Sequence, residues 1–207
     1  CCGGVRGGMF HSQSPESYFI HTPGLITIMP STPRDAKGLL KSALRAEDPV
    51  VFLEPKVLYR TIREEVPEED YTVPIGKARV VKEGSDVTIV TWGAMVYQAL
   101  EAAKIAEARH GWSVEVIDLR TLFPFDKDAI LESLEKTGRL VIVHEAPKTL
   151  GLGAEISAYV AEKAVELLKA PIVRVAGFDA PFPLVHEKLY MPNVARIYMG
   201  LSKVMSY

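Results

Sequence analysis

Cysteine is scarce in this chain of 207 residues: there are two, Cys1 and Cys2, and they are adjacent. Neighbouring cysteines are poor disulfide partners for each other and supply too few ligands for a zinc site. Without a disulfide framework, a reducing, cytoplasmic-type compartment is expected. Long apolar runs are missing: none reaches the roughly 20 residues that span a bilayer, so no membrane partner is expected. No signal peptide is visible. An excess of charge is also lacking, since 24 Lys and Arg stand against 26 Asp and Glu for a formal net charge of -2. That balance gives no field for nucleic acid and no polybasic membrane surface. The P-loop, the HExxH zinc motif, the CxxC pair and the nucleophile elbow are all absent. Gly151-Leu152-Gly153 lacks the third glycine of a dinucleotide fingerprint, because position 156 is Ile; it reads as tight strand-to-helix packing. A starting methionine is missing too. The chain opens inside Gly3-Gly4-Val5-Arg6-Gly7-Gly8, and an N-terminal part upstream is expected.

What is present is a core. The chain is 48% hydrophobic, enough for one or two domains. Three blocks are expected: 1–54, a linker 55–74, and 75–207. In the first, residues 25–29 read as a buried strand. Ser31-Thr32-Pro33 opens a helix with a hydroxyl cap and a first-turn proline, and Ala36, Leu39, Leu40, Ala43 and Leu44 share one helical face. Residues 50–53 read as a second strand, completing a βαβ unit with parallel strands. The linker holds Pro55, Pro67, Pro74 and the charged run 63–70, with no helical or strand period, and reads as an extended crossing. In the third block, strands at 78–81, 87–91, 114–119, 140–143 and 172–175 alternate with helices at 94–109, 127–136, 154–168 and 193–205. Gly111 suits the residue just past a helix end. Such alternation predicts an α/β protein with a mostly parallel, doubly wound sheet.

His11 is the sharpest chemical signal, in His11-Ser12-Gln13-Ser14-Pro15-Glu16. Ser14 reads as a helix cap, Pro15 as the first helical residue, and Glu16 as a partner of the helix dipole. His11 is therefore expected on a loop just ahead of a helix, where an imidazole can face a cleft and exchange a proton near neutral pH. His21 reads as packing and His110 as a cation at a helix C-terminus. His144-Glu145 closes the strand 140–143, at the carboxyl end where open α/β sheets place ligands or partners; an interface role and local hydrogen bonding both remain open. His186 carries no reading. The carbonyls ending the first long helix, near 43–48, lack intrahelical partners and could face water or a cation.

Beyond these local features, many short motifs agree in order and spacing with one family. Gly7-Gly8-Met9-Phe10-His11-Ser12-Gln13-Ser14-Pro15-Glu16, Asp35-Ala36-Lys37-Gly38-Leu39 and Phe52-Leu53-Glu54-Pro55-Lys56 belong to the set. So do Asp118-Leu119-Arg120-Thr121, Lys136-Thr137-Gly138-Arg139, His144-Glu145-Ala146-Pro147 and Gly177-Phe178-Asp179-Ala180-Pro181-Phe182-Pro183. Together they resemble the β subunit of the thiamine-diphosphate-dependent 2-oxo acid dehydrogenases, the branched-chain type best and the pyruvate type second.

The resemblance implies that 1–54 is the end of a pyrimidine-binding domain and that 75–207 is a transketolase-type C-terminal domain. It implies oxidative decarboxylation of a 2-oxo acid with reductive acylation of a lipoyl group. The chain would act only with its α subunit, in an α2β2 assembly around a lipoyl acyltransferase core. Thiamine diphosphate and its Mg2+ would be held mainly by the α subunit, and the glutamate that activates the cofactor would lie upstream of Cys1. His11 matches the family's active-site histidine, implying that it protonates the departing lipoyl sulfur. The potassium site of branched-chain relatives maps onto the carbonyls of Ala43, Ala46 and Asp48. The implied compartment is the cytoplasm, or the mitochondrial matrix in a eukaryote. Two alternatives stand beside it. One is a transketolase-like or deoxyxylulose-phosphate-synthase-like carboligase, which needs a basic sugar-phosphate site that is not evident near His11. The other is a docking subunit without chemistry of its own, using 178–183 and the terminal Ser206-Tyr207.

Overall fold

The computed structural model describes residues 1–207. Two one-turn helices come first, α1 (Gly8–His11) and α2 (Glu16–Ile20). The βαβ unit follows as expected: β1 (Ile26–Ile28), α3 (Pro33–Leu44) and β2 (Val50–Phe52). Thr32 is the cap of α3, its hydroxyl accepting the N–H of Asp35 at 3.1 Å, and Pro33 occupies the first turn, where its missing N–H costs nothing. β1 and β2 are parallel, with Ile26 opposite Val50 and Ile28 opposite Phe52.

Residues 55–74 cross without a strand, although the crossing contains one short helix, α4 (Leu58–Thr61), that the sequence pattern does not announce. The remaining elements run β3 (Arg79–Lys82), β4 (Val87–Thr91), α5 (Met95–His110), β5 (Val114–Asp118), β6 (Thr121–Phe123), α6 (Lys127–Thr137), β7 (Leu140–Pro147), α7 (Leu152–Lys163), β8 (Val173–Gly177), α8 (Glu187–Tyr190) and α9 (Val194–Met205). Gly111 ends α5 with φ 72°, a conformation costly for a residue with a Cβ.

Five of the strands form one sheet in the order β3-β5-β4-β7-β8. All neighbours are parallel except β3, which runs antiparallel at the edge. The interior strands β4 and β5 are buried at every position, as continuous apolar strands covered on both faces should be. One face carries Val90, Ile117 and Ile142 against Ile130 and Leu134 of α6 and Ile156 and Val160 of α7. The other carries Ile89, Val116 and Val143 against Ala99 and Ala103 of α5 and Ile197 and Leu201 of α9. This is the doubly wound α/β arrangement that the alternation predicts.

β6 is the departure from expectation. It leaves the large sheet and pairs antiparallel with β1, giving a second sheet ordered β2-β1-β6. Beside it, Arg120 reaches Asp35 at 3.1 Å and donates to the carbonyls of Lys77 and Ala78. Arg79 adds a second contact to Asp35 at 3.3 Å. The start of α3 is thus pinned to the large sheet by a buried carboxylate and two guanidiniums. Next to this cluster the hydroxyl of Ser31 donates to Asp118, whose carboxyl burial pushes up to about 6.

Candidate active site at the inter-sheet seam

His11 does not lie on a loop: it is the last residue of α1, with the N–H of Ser12 closing the turn onto the carbonyl of Gly8 at 3.2 Å. Two glycines make that turn. Gly8 has φ 85°, and a Cβ on Gly7 would stand 3.1 Å from the Cβ of His11. The imidazole is exposed, and its neighbours Met9 and Phe10 are 41% and 79% exposed. His11 therefore sits on the surface beside an apolar strip, which suits a seam with another polypeptide.

The next helix also differs from the pattern expected of it. α2 begins at Glu16, and its cap position is Pro15, with no side-chain cap from Ser14. Glu16 is fully buried rather than a solvent-side dipole partner, and its carboxylate accepts the indole N–H of Trp92 at 3.3 Å. Burial pushes this carboxyl up. Trp92 in turn stacks on His144, with centroids 5.3 Å apart. The residues directly after His11 are thereby anchored on the end of the large sheet.

β7 extends four residues beyond the expected strand end and carries both His144 and Glu145 inside the fold. Neither ring nitrogen of His144 is hydrogen-bonded, and burial lowers its pKa to about 4. A Cβ on Gly151 or Gly153 would lie 2.6 Å and 2.8 Å from His144 atoms. The two glycines thus let α7 approach the strand, as expected, and leave no space for a phosphate cradle. The chain carries no other glycine-rich phosphate motif, so its own residues do not fit a diphosphate.

Glu145 accepts the N–H of Gly3. Burial pushes its carboxyl up to about 8, and the negative charges of Glu16 and Glu187 add to the rise. It faces a cleft of about 930 Å³ that separates α2 from the carboxyl end of β7, with Ser14, Tyr18, Phe182 and Tyr190 on its walls. His11 does not line this cleft; the lining begins two residues later, at Gln13 and Ser14. His21 caps the end of α2 and is exposed on the cleft wall. His110 ends α5, stacked on Trp112 with centroids 4.1 Å apart and bonded to the hydroxyl of Tyr198 at 2.7 Å. His186 precedes α8 and lines nothing at the seam.

Ala43 lies in the last turn of α3, and Ala46 and Asp48 lie in the connection from α3 to β2. The carbonyl of Ala43 already accepts the N–H groups of Arg45 and of Ala46, the latter at 3.3 Å. No group of three or more His, Cys, Asp or Glu side chains converges as a metal site. The roles of Trp92, Phe182 and Tyr190 carry no sequence signal, because aromatic residues mark a core as readily as a cleft. Glu145 does carry one: a charged pair directly after a continuous apolar strand.

Residues 76–197 match the family described as transketolase, C-terminal domain, and residues 1–61 match transketolase, pyrimidine binding domain. The chain belongs to the transketolase C-terminal domain family. It is 55% identical over 202 residues to the mitochondrial 2-oxoisovalerate dehydrogenase subunit beta of Dictyostelium discoideum, covering 98% of this chain and 55% of that protein. It is 48% identical to the mitochondrial 2-oxoisovalerate dehydrogenase subunit beta 2 of Arabidopsis thaliana, covering 100% and 60%. Identity is 50% to the pyruvate dehydrogenase E1 component subunit beta of Staphylococcus aureus, covering 92% and 59%. Among solved structures, a split gene transketolase described as an inactive beta4 tetramer superposes with a TM-score of 0.80 at 29% identity, covering 97% of this chain and 64% of that one. The chain thus spans 55% to 60% of the length of these three curated relatives. Its mixed sheets and flanking helices are those of the transketolase fold. No helix is long and apolar enough to cross a membrane.

Proposed function

We propose that this chain is part of the β subunit of a thiamine-diphosphate-dependent 2-oxo acid dehydrogenase. The enzyme would decarboxylate a branched-chain 2-oxo acid or pyruvate oxidatively and acylate a lipoyl group. Identity of 55% to a 2-oxoisovalerate dehydrogenase β subunit supports the reaction class, and the observation that carries the site is the exposed His11 beside Phe10. The domain boundaries proposed are 1–54 and 75–207, with the linker 55–74. An α subunit in an α2β2 assembly would hold thiamine diphosphate and Mg2+, and a lipoyl acyltransferase core would accept the acyl group. A potassium ion at the carbonyls of Ala43, Ala46 and Asp48 belongs to the proposal, as does a cytoplasmic or, in a eukaryote, mitochondrial-matrix setting.

When bound, the cofactor supplies the chemistry that expels carbon dioxide from the 2-oxo acid. His11 contributes a proton. An imidazole can donate near neutral pH, and opening a lipoyl disulfide leaves a sulfur that must be protonated. Held at the surface by the Gly7-Gly8 turn, the ring can meet a group carried by another protein. The test is His11→Ala in the full-length β subunit, assembled with its α partner. Transfer to the lipoyl domain should fall by about 10²- to 10⁴-fold, while decarboxylation read with an artificial electron acceptor persists. Undiminished lipoyl acylation in that variant would reject the role of His11.

A further inference from the structure

The cleft beside α2 has the shape of a ligand site, and its chemistry is one-sided. Its volume, about 930 Å³, lies within the usual size of small-molecule sites, roughly 300–1,000 Å³. It opens at the carboxyl end of β7, where open α/β sheets take ligands. No Lys or Arg lines it, and its one imidazole, His21, is exposed on the outer wall at the end of α2; two carboxyl groups line it, Glu145 and Glu155, together with the rings of Tyr18, Phe123, Phe182 and Tyr190. We propose that this cleft binds a small organic ammonium ion, its charge on Glu145 and its apolar body against Phe182 and Tyr190.

Three observations carry the assignment. Glu145 is 5% exposed; one carboxyl oxygen accepts the N–H of Gly3, and the other makes no hydrogen bond within the protein while the residue faces the cleft. A buried carboxyl without a cationic partner is costly to ionise, and a cation brought to it removes that cost. Secondly, Phe182 and Tyr190 pack with centroids 5.0 Å apart, and aromatic faces attract ammonium groups. Thirdly, an anion has no place to go: the N-terminus of α7 does open onto the cleft, but Glu155 already occupies its first turn. The groups facing Glu145 are Glu16 from α2, Glu187 from α8, the Cys2 thiol and the Tyr190 hydroxyl. The acids among them disfavour a second negative charge and favour a bound cation.

The experiment is calorimetric titration of the full-length β subunit assembled with its α partner, using cyclohexylammonium, cyclohexanol and cyclohexanecarboxylate as matched probes. Only the ammonium should bind, at a dissociation constant of about 1 mM or tighter. Its affinity should rise between about pH 6 and 9, because binding draws a proton from Glu145, an ejection seen as heat that changes with the buffer. Glu145→Gln and Phe182→Leu should each weaken binding roughly tenfold, and Phe182→Leu provides the answer if Glu145→Gln does not fold. Equal binding of cyclohexanol or the carboxylate, unchanged binding in a folded variant, or no ammonium binding at all would overturn the assignment. None of these readouts involves turnover, so their failure leaves the role of His11 untouched.

Discussion

The ring of Trp92 lies parallel to the imidazole of His144, with 7° between the planes and 5.3 Å between centroids. Trp92 also holds Glu16 through its indole N–H. One aromatic residue thus connects the end of β7 to the helix that follows His11, and the protonation of its partner bears on stability.

His144 is neutral in the fold because burial lowers its pKa to about 4, from an ordinary 6.5. Between these values the unfolded chain binds a proton that the folded chain does not, so stability falls as pH drops from 6.5 towards 4. The loss is on the order of 3 kcal/mol. His144→Asn should flatten this acid limb in a series of denaturant melts, whatever it does to stability at neutral pH.

Glu145 has the opposite sign. Its folded pKa is raised from 4.5 to about 8, chiefly by burial. The folded state therefore keeps a proton that the unfolded state has released, and stability declines as pH rises through that window. Glu145→Gln retains an oxygen for the N–H of Gly3 and cannot ionise. Its melting temperature should exceed that of the parent by the greatest margin near pH 8 and above, and an unchanged alkaline slope would contradict this.

Asp35→Ala should be among the most damaging single changes. It leaves the buried guanidinium of Arg120 without its carboxylate and removes the partner of Arg79. Breaking a buried pair from one side costs about 3–5 kcal/mol, measurable as a shift in the urea midpoint at constant slope.

His11→Ala, by contrast, should leave stability within about 0.5 kcal/mol of the parent, the usual range for surface sites. The ring is exposed at the end of α1. A melt that matches the parent alongside lost lipoyl acylation would separate chemistry from folding.

The long elements are legible because burial imposes a period. Val87–Thr91 is a strand to the residue, and Gly111 and Gly138 end α5 and α6 with left-handed backbones. Legibility fails where tertiary contact decides. Thr121–Phe123 has only three residues and precedes Pro124, so nothing local marks it as a strand; its partner β1 lies more than ninety positions earlier. β7 reads as ending at Val143 because His144 and Glu145 are polar, yet the sheet buries both. Glu16 has the sequence signature of a helix-dipole partner, but the indole of Trp92 gives it a buried hydrogen bond that spacing cannot reveal. His11 is marked in the sequence by its small and glycine neighbours, although the turn they form is helical.

Because Thr121–Phe123 completes the smaller sheet, the two halves of the chain are sewn together by backbone hydrogen bonds as well as by side chains. A protease cutting within 55–74 would nick the molecule without releasing separate pieces. Expressing residues 1–74 alone would strand β1 with a naked edge, and such an edge recruits other chains. Aggregation, rather than a tidy half-protein, is the fate of that fragment.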